Sequence, residues 1–182
     1  EKLGGTTPLE IVVKIGDDFD DVLDPEDLKG LTEEEIEMER EFAKEQANSP
    51  QYWFTPDKIQ RIKEVHDYLD ALPEIGKVLS LASTVRVAED YAEEELDGMQ
   101  LALLYTKISP KVRKDLIDPY VSIDNNEARL FARVLDSKHD LRRKELLETV
   151  RTDLVKKLGF EKQNVIVSGL LVLYNNMLQS LF

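Results

Sequence analysis

Apolar and polar positions along this chain alternate in two rhythms, and the rhythms follow one another in the same order twice. Leu9, Ile11, Val13 and Ile15 alternate with Glu10, Val12 and Lys14, the period of two expected for a strand with one buried face. The Gly4-Gly5-Thr6-Thr7-Pro8 run ahead of it reads as a turn or loop. Further on, Thr55-Pro56 supplies an N-cap followed by proline at the first helical position. Ile59, Ile62, Val65, Leu69 and Leu72 then recur at helical spacing up to Pro73, and Gly76 to Leu81 reads as a second strand.

The middle of the chain is helical by the same criterion. Leu96, Met99, Leu103 and Leu104 predict a helix over 93–107, and Ser109-Pro110 opens a shorter one through Leu116. From Pro119 the strand rhythm returns. Tyr120 to Ile123, a turn at Asp124-Asn125-Asn126, and Ala128 to Leu135 predict a hairpin. In its second strand Ala128, Leu130, Ala132 and Val134 share one face, and Arg129, Phe131, Arg133 and Leu135 the other. Ser137 and Asp140 cap a long helix carrying Leu141, Leu146, Leu147, Val150, Leu154 and Leu158, and Gly159 stops it as a left-handed residue. Asn164 to Leu173 reads as a strand, and from Tyr174 the rhythm becomes helical again, with Tyr174, Met177, Leu178, Leu181 and Phe182 on one side.

These elements divide the chain into a first βαβ unit (1–16 and 52–92), an insertion (17–51), a helical connector (93–118), a hairpin with a second βαβ unit (119–173), and an amphipathic terminal segment (174–182). Two such units predict an α+β fold of ferredoxin-like type, a sheet containing antiparallel pairs with helices on one face.

Composition changes this picture in one place. The 182 residues carry a net charge of -13, and the charge is local: 14 acidic residues against three basic ones lie between Asp17 and Glu45, with 23 against 21 elsewhere. The second half of that segment predicts a helix over 33–47, opened by a Thr32–Glu35 capping box and a Leu31–Ile36 staple. A surface of this sign, with no basic stripe interleaved with aromatics, points away from nucleic-acid binding. Cysteine is absent, which excludes disulfides, thiol nucleophiles and thiolate metal sites. The longest apolar or small run, Val165 to Tyr174, is ten residues, against about 20 for a membrane span.

Candidate chemistry is sparse. His66 and His139 stand on separate helices without metal-site spacing and read as solvated helix-face residues. Asp17, Asp18, Asp20, Asp21 and Asp24 lack the spacing and glycine of a calcium loop and read as a solvated acidic stretch. The residues show no nucleophile with a base beside it, so the chain is expected to have no turnover of its own and to need no cofactor. Arg129 and Arg133 flanking Phe131 could meet the head group of an amphiphile or another domain, and Tyr52-Trp53-Phe54 could wall a cargo path, although core packing explains the aromatic trio more simply.

With the elements placed, four strings resemble a known family: GGTTPLEIVV (Gly4 to Val13), PEIGKVLSL (Pro73 to Leu81), ARLFARVLDSKHDLRRKELL (Ala128 to Leu147) and VSGLLVLYNNMLQSLF (Val167 to Phe182). They resemble an extracytoplasmic loop of RND superfamily transporters, the MMPL-like branch that exports hydrophobic compounds. The resemblance covers most of the chain outside 17–51, which matches nothing in that family. It implies a porter domain on the periplasmic side of a prokaryotic inner membrane, part of a proton-driven exporter that binds and conducts hydrophobic or lipid-like cargo. It implies as partners the transporter's membrane helices and its other extracytoplasmic loop, with homo-oligomerisation compatible. Tyr174, Met177, Leu178, Leu181 and Phe182 would then form a junction to a following membrane helix. Proton-coupling carboxylates of such exporters lie in membrane helices, so the resemblance gives none of the acidic residues here that role. A reading of another class is a free-standing ferredoxin-like regulatory module that binds a small ligand or a protein.

Overall fold

The alternation of the first strand becomes β1 (Thr7–Lys14) in the computed structural model of the chain, which describes residues 7–15, 30–47, 53–135 and 142–179. Leu9, Ile11 and Val13 are fully buried on one face, while Glu10 and Val12 on the other are half-buried. Around it lie β2 (Ile75–Leu79), β3 (Val121–Ser122), β4 (Glu127–Val134) and β5 (Val165–Ser168). The order is β2-β4-β1-β5, with β3 beside the first residues of β4 and every pairing antiparallel. β1 and β2, both antiparallel to β4, are therefore parallel to each other with β4 between them, and β4 and β5 flank β1 in the same way. The two strand–helix–strand units interleave into one α+β sheet instead of standing side by side.

The helices among the described residues are α1 (Glu33–Ala47), α2 (Pro56–Asp70), α3 (Leu81–Ala92), α4 (Gly98–Lys107), α5 (Pro110–Leu116), α6 (Arg143–Lys156) and α7 (Leu170–Gln179). Thr55 caps α2 as its sequence predicts, its hydroxyl accepting from the Lys58 amide at 3.3 Å with Pro56 at the first helical position. Ile59, Ile62, Val65 and Leu69 of α2 join Leu146, Leu147, Val150 and Leu154 of α6, and both sets pack with the Leu9, Ile11, Leu130 and Val134 face of the sheet. Each such aliphatic side chain stabilises the fold by about 1.5–3 kcal/mol. The Thr32–Glu35 capping box also forms: the Thr32 amide donates to Glu35 Oε2 at 2.7 Å, and this bond holds the Glu35 carboxyl below its usual range. Leu31, the outer half of the expected staple, stays exposed.

The first hairpin strand, expected over Tyr120 to Ile123, is limited to Val121–Ser122, with Asp118–Tyr120 in a 3-10 turn, and three helix starts also differ from the sequence expectation. The second strand stops at Leu79, and Ser80 caps α3, which carries Leu81, Ala82 and Val85 into the core. The helix expected over 93–107 starts at Gly98, because Asp97 and Gln100 exchange side-chain-to-backbone bonds at 2.8 Å there, while Glu93, at φ 57, closes α3 instead. The last strand ends at Ser168 instead of Leu173, and helix α7 begins at Leu170 instead of Tyr174. Between them Gly169 takes φ +106, and a Cβ there would sit 3.0 Å from the Pro8 carbonyl oxygen and 3.2 Å from the Glu10 nitrogen. Only glycine lets the corner lie that close to β1. The expected caps Ser137 and Asp140, and Leu141 with them, lie outside the described residues.

Candidate functional site

The face of the sheet away from α2 and α6 brings together Arg129, Phe131 and Arg133, since alternate residues of β4 point the same way. Cross-strand register sets their neighbours: Phe131 is opposite Glu10 and Leu79, Arg129 opposite Val12, and Arg133 opposite Pro8 and Lys77. Arg129 Nε lies 2.9 Å from Glu10 Oε1, and the Tyr120 ring meets Phe131 edge-on with centroids 5.9 Å apart. Val12 pairs with Ile166, which is 53% exposed, so an apolar strip continues beside the charges. This surface offers cationic groups next to aromatic and aliphatic ones, and Arg133 is exposed at its border.

Trp53 and Phe54 lie elsewhere, fully buried in the core. Trp53 Nε1 donates to Asn126 Oδ1 at 2.9 Å, and Lys58 Nζ donates to the same oxygen at 3.0 Å while standing 5.1 Å from the Trp53 ring centroid. Asn126 takes φ 53 in the hairpin turn, and its carbonyl receives the Ile15 amide at 2.8 Å. Burial lowers the Lys58 pKa. Trp53 and Lys58 thus tie the β3–β4 turn to the start of α2, and with Trp53 and Phe54 both buried neither offers a surface to cargo. Tyr52 lies outside the described residues.

His66 is also a correction. It is not a solvated helix-face residue: it is 7% exposed, and its Nδ1 lies 2.8 Å from Ser80 Oγ. A Ser beside a His is the minimum of a nucleophile and base, and the sequence reading finds no such pair. No local signal marks the pair, because the residues are 14 positions apart on different elements. Ser80 is inaccessible and its oxygen also accepts the Ala82 amide at 3.1 Å, so the pair fastens a corner and cannot meet a substrate. Burial first, and then the Arg86 charge, lower the His66 pKa; Asp67 and Asp70 oppose them. His139 lies outside the described residues, as do Asp17 to Asp24, and among the described residues no group of acidic or histidine side chains could hold a metal ion.

At the end of the sheet α7 buries Leu171 and half-buries Val172, while Leu170, Leu173, Tyr174 and Met177 stand between 39% and 61% exposed. Their spacing of three and four residues makes one apolar stripe along the helix. Leu178 lies within the helix, and Leu181 and Phe182 lie outside the described residues. Among the described residues no helix is long and apolar enough to cross a membrane.

Comparison of the chain with protein-family models, with curated proteins and with solved structures finds no match.

Proposed function

We propose that the chain is a porter domain of an RND-type, proton-driven exporter, held on the extracytoplasmic side of a prokaryotic inner membrane, where it binds and passes hydrophobic or amphiphilic cargo without chemical turnover. The observation that carries the reading is the β5–Gly169–α7 corner. It joins an outward apolar helix to the edge of the sheet by backbone contact with β1, so a displacement of α7 would be transmitted to the sheet with little slack.

Two further features support it. The strand order β2-β4-β1-β5, with two interleaved strand–helix–strand units, fits the ferredoxin-like plan of a porter subdomain. The first strand and the Gly169 corner also touch, which suits a domain tethered through both sides of one region. Partners in this reading are the membrane helices and the second extracytoplasmic loop, and cargo meets the open sheet face bearing Arg129, Phe131 and Arg133.

The test reads the coding sequence on both sides of the chain and then fractionates cells that express the whole gene. About 20 predominantly apolar residues following Phe182 are expected, with the product kept in membranes after carbonate extraction. A stop codon close to Phe182 and a freely soluble product would overturn the exporter reading and favour the free-standing ligand- or protein-binding module.

A further inference from the structure

A groove of about 380 Å³ opens between the outer face of α6 and the beginning of β5, lined by Arg151, Thr152, Val155, Lys156, Lys162 and Val165. The first four recur at i, i+1, i+4 and i+5, so one helix face makes one wall. Lys162, in the single 3-10 turn before β5, and Val165, the first residue of β5, make the other. Among the described strands β5 pairs only with β1 and forms the sheet edge, so no strand covers this side.

Two kinds of chemistry meet there. Val155 and Val165 are half-buried and give an apolar floor, while Arg151, Lys156 and Lys162 are exposed at the rim. None of these three cations forms an ion pair among the described residues. Arg151 Nη2 donates to the Val167 carbonyl at 3.3 Å, which steadies the guanidinium at the mouth. The whole chain carries a net charge of -13, so three cations gathered around one groove stand out from the rest of the surface, even with the charge of Lys156 acting on Asp153 of the same helix. An inorganic anion would leave the valines unused. A neutral hydrophobe would displace water from the cations without giving them a partner.

We propose that this groove binds a single-chain anionic amphiphile with a fatty-acid-like carboxylate. Arg151 takes the carboxylate, for which its planar fork is suited, Lys156 and Lys162 add charge, and the first methylenes lie on Val155 and Val165. The volume is at the small end for ligand pockets, so the far end of a long chain stays outside. The inference rests on the amphiphile-cargo reading above and narrows it to anionic amphiphiles.

Titration calorimetry on the whole chain, with dodecanoate below its micelle concentration, tests it. Saturable binding to one site is expected, weakened about tenfold by Arg151→Gln and to a similar degree by Lys162→Gln, with Lys111→Gln on α5 unchanged. Lys162→Gln keeps the test decisive if Arg151→Gln loosens the fold by freeing the Val167 carbonyl. Equal binding of dodecyltrimethylammonium would make the groove an apolar patch, and equal binding of inorganic phosphate would make it an anion site without a tail; either result overturns the proposal. So does dodecanoate binding that ignores both groove substitutions, or no dodecanoate binding at all. An exporter reading that fails on the flanking sequence leaves the calorimetric result standing, and the reverse also holds.

Discussion

Two strands of this molecule turn into helices across a single residue, and they do it by different chemistry. β2 passes through Ser80 into α3, and β5 passes through Gly169 into α7. At Ser80 the corner is fastened by side chains: its hydroxyl caps the helix and meets His66, and the Ser80 amide donates to Ser83 Oγ at 3.3 Å. The helix that follows sends Leu81, Ala82 and Val85 inward. At Gly169 the corner is fastened by backbone lying on β1, and the helix fully buries Leu171 while presenting an apolar stripe outward. One corner completes the core, whereas the other positions a surface. A closed corner tolerates a polar lock because both partners are satisfied; a corner pressed against another strand has room for no side chain.

The largest effect should come from filling the tighter corner. Gly169→Val adds backbone strain at φ +106 and a clash with the Pro8 carbonyl, and should cost about 4 kcal/mol in urea unfolding. A loss under about 1 kcal/mol would mean that the corner can move off β1, and the rigid coupling of α7 to the sheet would go with it.

Ser80→Ala comes next. It removes the cap of α3 and leaves His66 Nδ1 buried without a partner, for a loss of about 2 kcal/mol. An unchanged midpoint would show that the Ser80 corner is held by its apolar contacts alone.

A pH titration separates the corners without disturbing either. The folded-state pKa of His66 is lowered, so the unfolded chain binds more protons once the pH falls below its ordinary value near 6.5. The stability it contributes is complete above that value and is lost as pH falls to the folded pKa. Unfolding midpoints should therefore drop on acidification through that window, and His66→Gln should flatten the drop. The Arg86 charge lowers the His66 pKa after burial does, and Arg86 is itself 2.6 Å from Asp67, so Arg86→Gln should reduce the slope only in part.

Both corners also mark where the chain could be read and where it could not. Alternation on β1 and β4, the Thr55-Pro56 cap, the Thr32–Glu35 box and Gly159, at φ +70, carry local signals, and each element appears where it is expected. In Gly76 to Leu81 and in Asn164 to Leu173 apolar residues stand on both sides of the turn, so periodicity alone does not place the break, and only Ser80 and the Ser168-Gly169 pair interrupt the runs there. Local caps and tertiary contacts place it together: the Ser80–Ser83 box with the His66 ring at one corner, and the positive φ of Gly169 with the β1 backbone at the other. The site residues follow the same rule. Arg129, Phe131 and Arg133 share a face by strand period alone, and core packing is the simpler expectation for Trp53 and Phe54, whereas the Trp53 bond to Asn126, 73 residues away, has no local signal.

The smallest effect is expected on the outward helix, and it is the one that decides whether the two corners differ in kind. Leu173 is 61% exposed on α7, so Leu173→Ser removes little buried area and should change unfolding stability by no more than about 0.5 kcal/mol. Leu171, two positions earlier and fully buried, is the internal standard: Leu171→Ala should cost about 3 kcal/mol. If Leu173→Ser cost as much as Leu171→Ala, the stripe of Leu170, Leu173, Tyr174 and Met177 would be packed in solution, and α7 would close the fold as α3 does. A tolerant Leu173 beside an intolerant Leu171 leaves one face of α7 holding the sheet and the other facing out.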